Sequence, residues 1–400
     1  MAETLIRIAQ ARERVLNSAR ALPVETIAID QALDRVLAHD LRAAGDVPAF
    51  PCSAMDGYAV KAGPAGRSLA VIGESRAGGP SAHELREGEA LRISTGAAIP
   101  AGADAVIPQE DVDQHGGAIT TGTPIDPGVH VRDAGEDMRA GTPVLRAGTV
   151  LRAAELGAAV AAGAGEVAVR RRPVVAVLCT GDELRAPGER LGPGEIHNSN
   201  APMLAGLAAR SGAVVDAAQR IPDDRGATRA ALAAALEAAD MVVISGGVSV
   251  GPHDHVKPAL AALGVKELFW RVALQPGKPT WFGQRGRQLV FGLPGNPVSA
   301  VVTFSLFARP AIAALQGAIA DRRLDHEAVL GLAVSRNPIR EQALRVRLER
   351  RNGATVAIPN GPQGSHILSS LLGADALALI PLGRGEAEAG TTVELELLAR

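Results

Sequence analysis

Met241-Val242-Val243-Ile244 runs directly into Ser245-Gly246-Gly247-Val248-Ser249-Val250-Gly251. Further on, Leu289-Val290-Phe291 runs into Gly292-Leu293-Pro294-Gly295-Asn296-Pro297-Val298-Ser299-Ala300. Each is a short apolar run closed by turn-forming residues and followed by a helical pattern, which predicts strand, loop and helix in that order. Glycine-rich loops that follow parallel strands fall on one edge of a sheet, where open α/β folds bind ligands. Glycine leaves backbone N–H groups bare, and helix N-termini add partial positive charge, so such loops suit phosphate or another oxyanion. The stretch predicts a small anionic ligand, and an enzyme more than a scaffold.

From Pro173 the flanking sequence alternates between strand and helix patterns. Strands are predicted at Val174–Leu178, Val214–Ala218, Met241–Ile244, Leu268–Val272 and Leu289–Phe291. Helices are predicted near 200–211, 226–239 and 255–263, with a longer one from Pro297 to about Gln316. This is the pattern of a doubly wound sheet covered on both faces. A third loop, Cys179-Thr180-Gly181-Asp182-Glu183-Leu184, follows the first of these strands. If the strands are parallel, all three loops converge. One Gly-Gly turn alone is equally an ordinary tight turn, but these loops also bring Asp182, Glu183 and Asp254. Carboxylates beside phosphate-binding amides point to a bridging divalent ion, most often Mg²⁺. None of the loops has the spacing of a dinucleotide or P-loop fingerprint. Gln275-Pro276-Gly277-Lys278-Pro279 is a stiff loop in which Lys278 is either an oxyanion ligand or a solvated turn residue. Asn296 suits a helix N-cap, with Pro297 as the first helical residue.

Residues 5–20 carry an amphipathic helical stripe, and Asp30–Ala38 predicts a second helix behind an Asp cap. Between about Val47 and Val150 short apolar runs alternate with Gly/Pro clusters. Those at Ala70–Ile72, Leu91–Ile93, Ala105–Ile107 and Ala118–Thr120 predict a β-rich region. Helix returns at Arg152–Ala162. After Arg323, strand signals at Val329–Val334, Leu344–Leu348, Thr355–Ile358, Leu377–Ile380 and Thr392–Leu397 predict a small all-β unit.

The chain has 400 residues, and that length predicts two to four domains. A net charge of −2 offers no general attraction to nucleic acid, and 2% aromatic residues leave few platforms for stacking bases. Two cysteines, Cys52 and Cys179, cannot build a disulfide framework, which fits a reducing cytoplasm. The N-terminus lacks the pattern of a signal peptide. Leu156–Val169 is apolar but too short and too interrupted to span a bilayer. The composition thus predicts a cytoplasmic protein with no membrane or nucleic-acid partner.

Eight motifs occur in one order along the chain: Phe50–Val60 (FPCSAMDGYAV), Arg92–Pro100 (RISTGAAIP), Gly135–Asp137, Thr180–Leu184, Ser245–Gly251, Pro276–Pro279, Gly292–Ala300 and Gln363–His366 (QGSH). Together they resemble the MoeA/gephyrin E-domain family, the molybdopterin molybdenumtransferases, over nearly the whole chain. The resemblance implies a helical N-terminal domain at 1–45 and 140–172, with a β-rich domain inserted at 46–139. A MogA-like doubly wound α/β domain would occupy 173–325, and a C-terminal β-barrel 326–400. It further implies a homodimer whose cleft lies between the α/β domain of one subunit and the inserted domain of the other. The implied substrates are adenylylated molybdopterin and molybdate, with Mg²⁺ assisting release of AMP as molybdenum is placed on the dithiolene. A MogA-like adenylyltransferase and molybdoenzyme targets are the implied protein partners.

Matched position by position, the family's cleft acids are Asp56, Asp137, Glu183, Asp223 and Asp254, of which Glu183 and Asp254 would serve the metal. Pterin and phosphate contacts fall on Thr95, Thr180, Gly181, Ser245, Gly246, Gly247, Ser249, Arg271, Pro294, Gly295 and Asn296. The molybdate pocket falls on Lys278, Pro279, Ser299, Arg345 and Ser365. Each acid is otherwise a turn or cap carboxylate. Arg345 lies among Arg340, Arg347, Arg350 and Arg351, which could equally form a solvated face. The chain departs from the family's pattern at four places. Gln275 and Arg271 each replace a lysine, Pro51-Cys52 replaces Asp-Asn, and Gln342-Ala343 replaces an acidic-aromatic pair. Losing the cation at 275 would weaken phosphate binding, so a non-catalytic or altered-substrate paralogue stands as the alternative to an active transferase. Cys52 is read either as a reactive thiol near the cleft or as a small buried hydrophobe.

Overall fold

The structure, a computed structural model, describes residues 5–248, 254–319 and 326–398. At its centre is a six-stranded sheet in the order Val214–Ile221, Val174–Thr180, Met241–Ser245, Gln288–Leu293, Trp281–Arg285, Lys266–Trp270. The first four strands are parallel, and the last two are antiparallel additions. The parallel strands are the unbroken apolar runs, as burial on both faces requires. Trp281–Arg285 was not legible as a strand because its apolar part, Trp281-Phe282, is only two residues long.

One face of the sheet packs against helices Ile8–Ser18, Asn200–Arg210 and the long helix beginning at Pro297. The other packs against Arg225–Ala238 and Val256–Ala262. Asp224 caps the former of these two, accepting from the Ala227 N–H at 2.7 Å. From Val174–Thr180 the chain passes to the strand on one side, then crosses back to Met241–Ser245 on the other. This reversal opens a crevice beyond the carboxyl ends of those strands.

The helix Pro297–Leu315 is the one helix among the described residues long and apolar enough to cross a bilayer, yet 78% of its apolar window is buried inside the protein. It is a core helix. Its middle, Phe304–Ala308, widens to a π turn just before Pro310, which has no N–H to give the ordinary ladder.

The region Asp30–Ala38 is not the predicted α-helix. It forms a 3₁₀ turn at Ile29–Gln31, after which Val36 and Leu37 are extended and bridge Val150 and Val169. Asp34 adopts φ of 59° between these segments. Long-range pairing of the two apolar residues within the chain outweighs the weak local helical preference. Elsewhere in this part Val24–Ala28 pairs with Glu166–Arg170, and Leu41–Arg42 with Pro143–Leu145.

Residues Gly57–Thr121 hold a second six-stranded sheet, which includes all four of the predicted short apolar runs. In the C-terminal part, strands Glu341–Arg351, Ala354–Pro359, His326–Leu330, Thr392–Leu397 and Ala376–Ile380 pair in a ring and close a five-stranded barrel. The barrel is joined to the α/β part by Leu274–Gln275, which adds in parallel to the start of Glu341–Arg351.

Candidate active site

A cavity of about 710 Å³ opens at the carboxyl edge of the central sheet. All three predicted loops reach it, through Thr180 and Glu183, Ser245 to Val248, and Pro294 to Pro297. Gly246 and Gly247 hold φ of 91° and 64°. A Cβ on Gly246 would lie 2.7 Å from the Thr180 hydroxyl, and one on Gly247 2.6 Å from Val256 Cγ2. Both positions therefore require glycine by conformation and by space.

Asn200, at the start of its helix, holds two of the loops together. Its Nδ2 donates to Ser245 Oγ at 2.8 Å and to the Gly295 carbonyl at 2.7 Å. Ser245 Oγ in turn donates to the Pro294 carbonyl at 3.2 Å. Sequence reading missed Asn200. The polar run His197-Asn198-Ser199-Asn200 before a helical pattern was the available signal. Asn296 occupies the N-cap position but makes no capping bond. Its amide instead donates to Ser365 Oγ at 3.0 Å, tying the barrel's 363–366 loop to the cavity rim.

The acids divide. Glu183 lines the cavity. Asp223 and Asp182 flank it, exchanging carboxylate-to-amide bonds of 3.3 and 3.2 Å; Gly181 is buried between the Thr180 strand end and this pair. Asp254 is half-buried just ahead of the helix Val256–Ala262. Asp56 accepts from the Thr95 N–H at 2.8 Å in the inserted sheet, and exposed Asp137 lies beside Val47, to whose carbonyl its N–H donates at 3.0 Å. Asp56, Thr95 and Asp137 do not line this cavity within one chain. Ser249 lies outside the described residues.

Pro279 lines the cavity, next to exposed Lys278. Ser299 is buried in the first turn of its helix. Arg345 is not part of a solvated arginine face: it is fully buried, while Arg347, Arg350 and Arg351 are exposed. Its guanidinium donates to Ser370 Oγ at 3.1 Å and to the Pro362 and Gly364 carbonyls at 3.2 Å each. The remaining nitrogen, Nη1, is buried with no partner. Burial pushes the arginine down to about 10, so it stays cationic at neutral pH.

The expected gap in charge at Gln275 has a different meaning in the structure. The Gln275 side chain does not line the cavity, and its Oε1 accepts from Asn337 Nδ2 at 2.6 Å. Cys52 is buried, as the hydrophobe reading requires. Cys179 lies at the cavity floor with its thiol pushed up to about 11 by burial, an effect only partly offset by Asn198.

Three family profiles match the chain. They are the MoeA N-terminal region (domain I and II) over residues 6–163, a probable molybdopterin binding domain over 176–314, and the MoeA C-terminal region (domain IV) over 327–398. The chain is 36% identical to a molybdopterin molybdenumtransferase of Haemophilus influenzae, covering 98% of each. It is also 36% identical to molybdopterin molybdenumtransferase 2 of Mycobacterium tuberculosis, covering 98% of this chain and 99% of that one. The crystal structure of a molybdopterin biosynthesis MoeA protein from Pyrococcus horikoshii superposes with a TM-score of 0.84. The two share 31% identity over 99% of this chain and all of the other.

Proposed function

The chain belongs to the MoeA family of molybdopterin molybdenumtransferases, and from that premise we propose how its residues carry out the transfer in molybdenum cofactor biosynthesis. Adenylylated molybdopterin would occupy the main cavity, its phosphates at the N–H of Gly247 and near Arg271, its pterin along Thr180, Ser245 and Pro294–Asn296, while the Gly246 N–H donates to the Leu293 carbonyl at 3.1 Å and fixes the turn. Molybdate would sit at the seam between Lys278, Pro279 and Ser299 on one side and Arg345 and Ser365 on the other. AMP leaves as molybdenum is placed on the dithiolene.

The observation that carries this reading is Arg345. A buried guanidinium with one unspent nitrogen is costly unless an anion completes it. The seam offers that anion hydroxyl donors on Ser299 and Ser365 as well. A dianion suits such a setting better than a neutral ligand.

Among the described residues there is no preformed cluster of three metal-ligating side chains. Glu183 and Asp254 remain suited to Mg²⁺, which usually keeps several waters and binds through one or two carboxylates plus substrate phosphates. When bound, the ion would neutralise charge building on the phosphoanhydride oxygens. Asp56, Thr95 and Asp137 lie apart from the cavity in one chain, which supports a homodimer in which the partner's inserted domain completes the cleft. We place the reaction in the cytoplasm, between a MogA-like adenylyltransferase and molybdoenzyme targets. Gln275 gives little weight to a non-catalytic paralogue, because its amide oxygen is engaged by Asn337.

The test is release of AMP from adenylylated molybdopterin with Mg²⁺ and molybdate, with molybdenum measured on the pterin product. Sedimentation alongside should give about twice the 41.0 kDa chain mass. Release of AMP without molybdenum transfer, or a monomer at full activity, would contradict this reading.

A further inference from the structure

Trp270 ends the strand Lys266–Trp270, which is antiparallel to Trp281–Arg285. That strand is in turn antiparallel to Gln288–Leu293. Two reversals return Trp270 to the sheet edge that holds Leu293 and Ser245, where the main cavity opens. Two cations lie against its indole ring. Lys257 Nζ is 3.2 Å from the ring centroid, and Arg271 Cζ is 4.1 Å from it.

Lys257 follows Val256, the residue against which Gly247 is packed, so its helix abuts the glycine pair of the cavity. Among the described residues the Lys257 ammonium has no hydrogen-bond acceptor or ion-pair partner. Partial burial holds it below the ordinary lysine range, while the charges of Glu267 and Asp254 pull the other way. An ammonium with three unspent donors, partly dry and sharing one indole ring with a second cation, is set for an anion. Sequence reading singled out Arg271 but not Lys257.

We propose that Lys257 is a further substrate-binding residue. Together with Arg271 it grips the phosphoanhydride of the adenylylated substrate where that group passes beyond the glycine loop. Trp270 is the positioning residue that holds both cations at this edge. The assignment rests on the substrate named under the proposed function.

The test is isothermal titration of the full-length protein with ADP, a stable phosphoanhydride probe, at two salt concentrations. Lys257→Met should weaken ADP about tenfold at low salt, and the difference should shrink at high salt as screening grows. Lys257→Arg should retain most of the affinity. Trp270→Leu should weaken ADP although both cations remain in the chain. A purely structural lysine would lower thermal stability in Lys257→Met with ADP affinity and its salt dependence unchanged, and that result overturns the proposal. So does a wild-type protein that binds no ADP. If ADP binding follows the expected pattern but no molybdenum is transferred, the transferase reading fails and this binding role stands. If transfer proceeds and Lys257→Met binds ADP like wild type, the reverse holds.

Discussion

Gln275 and Asn337 are joined by a 2.6 Å hydrogen bond in which Asn337 Nδ2 donates to Gln275 Oε1. The orientation of the asparagine is fixed, since its Oδ1 accepts from the backbone N–H groups of Ile339 and Arg340 at 3.0 Å each. The Asn337 N–H also donates to Gln342 Oε1 at 2.9 Å. Gln275 and Gln342 are register partners in the two-residue ladder between the α/β part and the barrel. Two positions where the chain departs from the family's pattern, one losing a cation and one an acid, are thus neighbours served by the same asparagine.

Gln275→Lys is therefore expected to bring no gain in substrate affinity. It would set an ammonium against the Asn337 amide donors and cost about 1–3 kcal/mol of stability. Adding Gln342→Glu supplies the partner charge and should recover most of the loss. Urea unfolding of the single and double variants measures both terms; a Gln275→Lys protein as stable as wild type would contradict the pairing.

Arg345→Lys keeps a positive charge but loses the fork that holds Ser370, Pro362 and Gly364. Molybdate binding should fall by roughly tenfold or more, as expected for a lost charge-assisted bond of about 1.5–3 kcal/mol. Equilibrium dialysis with molybdate reads this directly, and unchanged binding would remove Arg345 from the site.

Asp254→Asn should leave the fold intact and abolish Mg²⁺-stimulated release of AMP. Circular dichroism checks the first point and a magnesium titration the second. A wild-type rate at saturating Mg²⁺ would sink the assignment.

Gly246→Ala should cost about 1–2 kcal/mol for the left-handed backbone alone. The added methyl also meets the Thr180 hydroxyl and, at 2.9 Å, its carbonyl. The loop must shift, so AMP release should drop more than stability does. Matched losses from Ala at Gly45, which has open space around it, would show that the effect is not local.

The central sheet was legible because buried parallel strands are unbroken apolar runs, as at Met241–Ser245 and Gln288–Leu293. The glycine loops were legible because backbone conformation demands glycine at 246 and 247. What could not be read depended on distant pairing. Val36 and Leu37 looked helical until strands from Val150 and Val169 met them. Arg345 and Arg347 are alike in sequence and fall on the same side of their strand, and only the cover of Pro362, Gly364 and Ser370 over Arg345 separates them. Lys257 and Trp270 are 13 positions apart and are brought together by the edge of the sheet.

Cys179 gives a prediction in pH. Its thiol rises from an ordinary 9.0 to about 11, chiefly because burial disfavours the thiolate. Between these values the folded protein holds a proton that the unfolded chain has released, so stability falls as pH rises. Below pH 9 the effect is absent. At pH 10 it costs about 1.4 kcal/mol, the equivalent of one pH unit. Cys179→Ala removes the titrating group, and the cavity it leaves costs the same at every pH. The difference in unfolding free energy between pH 8 and pH 10 should therefore be about 1.4 kcal/mol smaller in the variant than in wild type. Urea titrations at the two pH values measure it, and an equal loss in both proteins would show that Cys179 does not titrate on unfolding.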